Sequence, residues 1–221
     1  MTWDTFYGEM EDALAGMKED GAQLYLSPIC TGGTEYQTQQ VRGAGKRLPS
    51  ELCDLGVDAL IGSHPHVIQP VDVLTSSDGE HQMLCAYAIG NFLSNQQIEY
   101  MQDELPTGET EDSYLLSLSL SSDDKGKVSL TDVTFTPMWT HRYAGENGAT
   151  FVVLPVDNTE QLEEQTGITG IKEQADESAA RTQAIIGDGV EKVKASLPLK
   201  IRPVDTGRML KKFWPFRLSV F

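Results

Sequence analysis

The stretch from Ser50 to Ile61 constrains the fold most, because a short helix leads directly into a short apolar strand. Ser50 can cap a helix that runs through Leu55, and Gly56 can close it. The strand that follows, Val57–Ile61, is mostly apolar, as in strands that are buried within a sheet. A helix that leads into such a strand predicts an α/β fold.

Other segments of the chain predict one more helix and several more strands. Apolar residues recur at helical spacing over residues 4–18, which predicts a helix there. The predicted strands are residues 23–29, 67–74, 82–89, 114–120, 128–135 and 151–154. Apolar and polar residues alternate in the strands at 114–120 and 128–135, and this predicts an antiparallel hairpin. The polar residues 93–112 predict a mobile loop.

The character of the sequence changes after Pro155. Residues 157–181 are rich in glutamate, glutamine and aspartate and have low hydrophobicity. Helices are predicted near residues 170–186 and 188–196. The basic and aromatic residues 208–221 predict a packed terminal segment, with a surface-binding tail as the alternative.

The charge balance and the cysteine spacing exclude several classes of function. The formal net charge is −16; such a surface repels nucleic acid and anionic lipid, so neither is an expected partner. The three cysteines form no C-x-x-C pair, which argues against a zinc ribbon or a redox motif. A signal peptide and a membrane-length apolar run are both absent from the sequence as written, which predicts a cytoplasmic location for it.

The strongest local signal for chemistry is the motif His64-Pro65-His66, directly after the predicted strand. In H-x-H on extended backbone both imidazoles point to one side, so both can reach one metal ion. Neutral imidazole is a common ligand of zinc, iron and similar ions. His64 and His66 are therefore candidate metal ligands, although two neighbouring loop histidines are more often not ligands.

Three further residues are candidates for the surroundings of such a site: Glu35, Asn91 and His141. Each has a plainer alternative. Glu35 can be a surface acid, Asn91 a turn residue beside Gly90, and His141 a partly buried histidine bonded to the backbone. His81 lies in a polar turn and is predicted to be exposed to solvent.

Four segments, in this order, resemble the CapA family of bacterial capsule-synthesis proteins. They are LCDLGVDALIGSHPHVIQPVDVL (52–74), CAYAIGNFLSNQ (85–96), VSLTDVTFTPMWTHRY (128–143) and FVVLPV (151–156). The resemblance covers about residues 5–156. It implies that residues 1–156 are the C-terminal part of a metallophosphoesterase domain, followed by a helical acidic extension with a basic-aromatic tail at 157–221.

The resemblance also implies a fold and a chemistry. The fold is the calcineurin-like α/β/β/α sandwich, in which two facing sheets are flanked by helices. In that superfamily two divalent metal ions, such as Mn, Zn or Fe, activate a water for phosphoester hydrolysis. Members of the family are associated with poly-γ-glutamate capsule and are typically membrane-associated or extracytoplasmic. Their biochemical activity does not follow from the fold.

Carried over residue by residue, the resemblance leaves the dimetal site incomplete. His64 and His66 match the late H-x-H motif, whereas the early D-x-H and G-N-H-type motifs have no counterpart in this chain. The family's M-H-W-G-x-E-Y stretch matches at Glu35-Tyr36, but Thr31 stands at the histidine position. Codons for Ile29–Gly33 can be chosen so that an out-of-frame reading gives Met-His-Trp-Gly, which suggests a frameshift.

Three interpretations follow. The first is a CapA-like protein that, if active, is a metal-dependent phosphoesterase-type hydrolase whose catalytic residues the chain does not reveal. The second is a non-catalytic binding or assembly module whose partners are other capsule-biosynthesis proteins. The third is a truncated or frameshifted fragment with no activity. In each case we expect weak or no metal binding by this chain alone, and membrane association only through a missing N-terminal segment.

Overall fold

Two four-stranded β-sheets and four α-helices form the described part of the chain. The computed structural model describes residues 3–22, 24–30, 36, 44–124, 127–199 and 216–220. The helices are α1 (Trp3–Glu19), α2 (Ala44–Leu55), α3 (Leu162–Thr166) and α4 (Lys172–Ser196). The strands are β1 (Leu26–Cys30), β2 (Ala59–Ser63), β3 (Val71–Thr75), β4 (Gln82–Ala86), β5 (Asp112–Ser122), β6 (Val128–Gly145), β7 (Gly148–Pro155) and β8 (Phe216–Val220). Two 3₁₀ turns, Ile98–Tyr100 and Glu109–Glu111, precede β5.

The two sheets differ in topology. The first has the order β1-β2-β4-β3, with β1, β2 and β4 parallel and β3 antiparallel to β4. The second has the order β7-β6-β5-β8 and is antiparallel throughout. The predicted α/β class, with its two sheets, is confirmed. The terminal strand β8 extends the second sheet beside β5.

The first sheet is buried on both faces, which explains why its strands read as nearly continuous apolar runs. Successive side chains of a strand point to opposite faces. Leu60, Met83 and Cys85 pack toward α1 and α2 in one cluster. Their strand neighbours Ala59 and Leu84 face a second cluster, which also contains side chains of β5, β6 and α4. The core that the two sheets share thus lies directly beside the end of β2.

Helix α4 is a single helix of 25 residues, so the prediction of two helices near 170–186 and 188–196 is wrong. Two glycines lie in the helix, and one of them has a packing role. A Cβ on Gly189 would lie 2.0 Å from the carbonyl oxygen of Val71. The helix can therefore approach β3 this closely only where it carries no side chain. At Gly187 a Cβ would meet only the flexible amide of Gln183, at 2.4 Å.

A buried ion pair ties α4 to the start of β5. Arg181 donates two hydrogen bonds to Asp112, from Nε at 2.7 Å and from Nη2 at 2.8 Å, and Ser178 donates a third at 2.6 Å. Burial raises the pKa of the Asp112 carboxyl, while Arg181 and Ser178 act in the opposite direction. A buried carboxylate requires such partners. The acidic extension therefore contributes directly to the structure of the preceding sheet.

Two local predictions are wrong, and a third segment has more structure than predicted. Helix α2 begins at Ala44 and contains Ser50, which is therefore not its cap. The segment 93–112 is largely a loop, as predicted, but Thr110 and Glu111 are buried in it and it holds the two 3₁₀ turns; its mobility stays a prediction. His81 is completely buried rather than exposed, and its Nε2 donates to the carbonyl of Val57 at 2.7 Å. A hydrogen bond to a distant carbonyl cannot be read from local polarity.

Asp58 is a buried acid at the start of the first sheet. One of its oxygens accepts a hydrogen bond from the Tyr25 backbone N–H at 2.7 Å, and the other lies 3.9 Å from His81 Nε2. Burial raises the pKa of Asp58 to about 7, although the hydrogen bond from Tyr25 acts against it. We therefore interpret Asp58 as a largely protonated group at mildly acidic pH.

No helix in the described ranges is both long enough and apolar enough to span a membrane.

The same substitution at two glycines of α4 should have opposite effects. Gly189→Ala should lower the free energy of unfolding by about 2 kcal/mol, because the new methyl group overlaps backbone that cannot move away. Gly187→Ala should be neutral or stabilising by up to about 1 kcal/mol, because alanine favours helix and Gln183 can move. Urea denaturation measures both. Equal losses in the two variants would contradict the close approach of α4 to β3.

Asp58 should make stability fall as the pH rises. The pKa of an aspartate side chain is ordinarily 3.8, and that of Asp58 in the folded protein is about 7. Between these values the unfolded chain gives up a proton that the folded protein retains. The free energy of unfolding should therefore fall by about 1.4 kcal/mol per pH unit across this interval.

Asp58→Asn should remove that slope, because the amide oxygen still accepts from Tyr25 and carries no charge. Asp132→Asn, an exposed acid of β6, is the control and should leave the slope in place. Urea denaturation from about pH 4 to pH 8 makes the comparison. A pH profile that Asp58→Asn leaves unchanged would contradict the raised pKa.

Candidate functional site

The motif His64-Pro65-His66 begins immediately after β2 in a constrained backbone conformation. The φ angles are +115° at His64 and +61° at His66. Non-glycine residues rarely adopt positive φ, and each such residue costs on the order of 1–3 kcal/mol when the conformation is strained. Glycine would relieve this strain, so histidine at these two positions lowers the stability of the fold. Strain of this kind is concentrated at functional sites.

Hydrogen bonds from neighbouring segments hold this backbone in place. The carbonyl of Pro65 accepts from the backbone N–H of Tyr36 at 3.0 Å, and the carbonyl of Gly62 accepts from Ile89 at 3.2 Å. Ile68 forms a β-bridge with Ile89 just beyond the motif. Both ends of the turn are therefore fixed to the end of β4. His64 is exposed and His66 is half-buried.

The side chain of Asn91 orients the imidazole of His66. The Nδ1 atom of His66 lies 3.1 Å from Asn91 Oδ1. The Asn91 amide nitrogen donates to Gln96 Oε1 at 2.8 Å and to the Thr110 carbonyl at 3.1 Å. Because an amide has only two N–H donors, the Asn91 oxygen must be the acceptor toward His66. His66 therefore carries its proton on Nδ1, and the Nε2 lone pair is available to a ligand.

Further hydrogen bonds connect Gln96 to Tyr36 and to Thr110. Gln96 Nε2 donates to the Tyr36 hydroxyl at 3.2 Å, and the Tyr36 ring lies 6.2 Å from the His66 ring. Thr110 Oγ1 donates to the Gln96 carbonyl at 2.6 Å. No sequence pattern singled out Tyr36, Gln96 or Thr110 as site residues. The only signal was that Gln96 ends one of the family-like segments and that Tyr36 follows the matching Glu35.

Gly90 determines where Asn91 lies. It has a φ of +81° and forms a β-bridge with Ser113 of the second sheet. A Cβ at this position would lie 2.3 Å from the Asp112 carbonyl oxygen and 3.1 Å from Ile68 Cγ1. Only glycine fits this approach. The end of β4 therefore joins the second sheet, and the next residue is directed toward His66.

Of the remaining candidates, the structure describes only His141 and does not bring it together with His66. Glu35 and Thr31 lie outside the described residues. His141 lies on β6 between Trp139 and Tyr143, with ring centroids 4.7 and 5.8 Å away. Burial lowers the pKa of His141, although the charge of Glu99 raises it. Among the described residues, no hydrogen bond joins His141 to His66 or Asn91.

The donor set fits part of a divalent-metal site. The exposed imidazole of His64 and the free Nε2 of His66 are both ligands that zinc, manganese and iron accept. Within the described ranges, three or more histidine, cysteine, aspartate or glutamate side chains do not converge at any one point. The two histidines could thus supply part of a coordination sphere, and other residues would have to complete it. Their assignment as ligands stays a prediction.

Glycine and alanine at position 64 should separate backbone strain from side-chain function. Both substitutions remove the imidazole, but glycine adopts a φ of +115° at little cost. His64→Gly should therefore be more stable than His64→Ala by about 1 kcal/mol. Urea denaturation of the two variants measures the difference. Equal stability of the two, or greater stability of the alanine variant, would contradict the strained turn.

Comparison with known proteins identifies one family. The model of the bacterial capsule synthesis protein PGA_cap matches residues 9–96. Neither a search of curated proteins nor a search of solved structures finds a match to the chain. The matched segment extends from α1 through Gln96 and includes His64, His66 and Asn91. Residues 9–96 are therefore similar to the bacterial capsule synthesis proteins that this model describes, in agreement with the resemblance to the CapA family.

Proposed function

We propose that this capsule-synthesis protein uses His64 and His66 as the late histidine ligands of a divalent-metal site of the phosphoesterase type, in the biosynthesis of poly-γ-glutamate capsule. The single observation that carries the proposal is the hydrogen bond from His66 Nδ1 to Asn91 Oδ1. Ligating histidines characteristically donate their second ring N–H to a fixed acceptor, which sets the tautomer and the ring orientation.

The strained backbone supports the same proposal. Positive φ at both histidines lowers stability, and packing alone gives no reason to accept that cost at an exposed residue such as His64. A function for both imidazoles does give a reason. The proposed metal is Mn, Zn or Fe, because each accepts imidazole nitrogen.

In the proposed mechanism each described residue has a limited role. His64 and His66 would hold the metal through imidazole nitrogens. Asn91 keeps the proton of His66 on Nδ1, and Gln96 with Thr110 keeps the Asn91 amide from rotating. The metal, when bound, would lower the pKa of a water and stabilise the charge that develops on a phosphoester oxygen. The remaining ligands would come from residues outside those described or from a partner chain, so weak binding by this chain alone is expected.

A binding or assembly module is the second candidate function. The incomplete donor set favours it, because two histidines alone are a small part of a dinuclear site. In this case the oriented histidines would join the chain to other capsule-biosynthesis proteins that supply the missing ligands. The two candidates share the metal contact and differ in whether phosphoester hydrolysis follows.

Metal content should depend on the histidine pair. The purified chain is brought to equilibrium by dialysis against buffer that contains Mn²⁺ or Zn²⁺, and the metal bound in excess of the buffer is measured by mass spectrometry. The double variant His64→Ala/His66→Ala should lose the bound metal. Asn91→Ala should weaken binding by about 10- to 100-fold, because His66 is no longer oriented.

His141→Ala is the matched control, since it removes a histidine that lies apart from the network, and it should retain the metal. An unchanged metal content in the double variant would refute the site. Hydrolysis of a simple phosphodiester by the metal-loaded chain would favour the enzyme. Metal binding without hydrolysis would favour the assembly module.

A further inference from the structure

A second concave site lies on the other side of the loops that hold Asn91. It is a pocket of about 120 Å³ between β6, the two 3₁₀ turns and α4. Its charged lining consists of Glu99, Glu111, Arg142, Glu177 and Arg181, together with His141. The volume admits a ligand of a few non-hydrogen atoms and is well below that of pockets for drug-sized molecules, about 300–1,000 Å³.

Two of the charged residues are part of the wall and already have partners within the protein. Glu111 accepts hydrogen bonds on both oxygens, from the Ile98 backbone at 2.7 Å and from Trp139 Nε1 at 3.0 Å. Arg181 is held by its paired hydrogen bonds to Asp112. These contacts make the wall rigid. Because both residues already have partners, neither is the main determinant of which ligand binds.

Arg142 lacks a partner for a buried donor. Its Nε is buried and has no hydrogen-bond acceptor among the described residues. The guanidinium carbon lies 5.5 Å from the centre of the Tyr100 ring, which holds the group in place. Arg142 lines the pocket and forms no ion pair with any described residue, so a ligand carboxylate would accept charge-assisted hydrogen bonds from its guanidinium.

The other free charges in the pocket are negative. Glu99 and Glu177 form no hydrogen bond or ion pair with any described residue, and both are exposed. Burial favours the neutral form of His141 by lowering its pKa, although Glu99 opposes this. His141 therefore adds no second cation. One positive and two negative groups are thus free to meet a ligand.

This charge pattern selects the ligand. A simple anion would be repelled by Glu99 and Glu177, and a simple amine would leave Arg142 unsatisfied. We propose that the pocket binds a small zwitterion of the α-amino-acid type, with its carboxylate on Arg142 and its ammonium group between Glu99 and Glu177. The pocket and the histidine site share no side chain, but they are separated only by the thickness of the loops. Gln96 and Thr110 accept hydrogen bonds from Asn91, while their neighbours Gln97 and Glu111 line the pocket.

Indole NMR provides a direct test. The chain has three tryptophans, so its indole N–H spectrum is simple, and Trp139→Phe identifies the signal of Trp139. Titration of the full chain with L-alanine should shift this signal in a saturable manner. Propionate and ethylamine, which each carry one of the two charges, should bind about tenfold more weakly or worse.

Arg142→Gln should abolish the response to L-alanine, and Glu177→Gln, on the exposed face of α4, should weaken it several-fold. Arg47→Gln, a guanidinium of α2 that pairs with Glu51 at 2.7 Å, is the matched control and should respond as the parent chain does. His64→Ala/His66→Ala should also respond normally, which separates this pocket from the histidine site. If Arg142→Gln does not fold, Glu177→Gln still decides the question.

Three results would overturn the proposal. They are the absence of a saturable shift with L-alanine, binding of ethylamine or propionate as tight as that of L-alanine, and an unchanged response in Glu177→Gln.

Discussion

The close approach of Gly90 to the backbone of Asp112 is the contact on which the rest of the structure depends. It joins the first, mixed sheet to the second, antiparallel sheet at one point, through the bridge between Gly90 and Ser113. No side chain fits there, so position 90 requires glycine. Its backbone conformation places the side chain of Asn91 beside the imidazole of His66. The geometry of the histidine site is therefore a consequence of how two sheets pack, and not of the H-x-H motif alone.

The same point of the second sheet also anchors the C-terminal extension. Asp112 presents its backbone to Gly90 and its buried carboxylate to Arg181 and Ser178 of α4. Glu111, one residue earlier, fixes Trp139 and the 3₁₀ turn at Ile98. Consecutive residues thus support the histidine network on one side and the charged pocket on the other. The extension from residue 157 onward was set apart on composition, and that division stays a prediction, but its helix contributes to the same core.

The sequence predicted those features that depend on local pattern. Apolar spacing located α1, alternation located β5 and the first part of β6, and the motif after β2 marked the end of the strand. Long-range contacts were not predictable in the same way. The continuity of α4 was not predicted, because its packing against Val71 of β3 is a long-range contact. His81 was predicted to be exposed, because its hydrogen-bond partner lies 24 residues earlier in the chain. No local pattern indicates a role for Tyr36, Gln96 or Thr110, because these residues come into contact only where three loops of the folded chain meet.

The tautomer of His66 tests the central claim most directly. Long-range ¹⁵N–¹H NMR of the imidazole rings, recorded at about pH 8 where histidine is neutral, distinguishes a proton on Nδ1 from one on Nε2. The chain has four histidines, and His66→Gln assigns the relevant signals. We expect His66 to be protonated on Nδ1, and Asn91→Ala to give a mixture of tautomers. A proton on Nε2 in the parent chain would contradict the orientation by Asn91 and remove the main support for a metal ligand at His66.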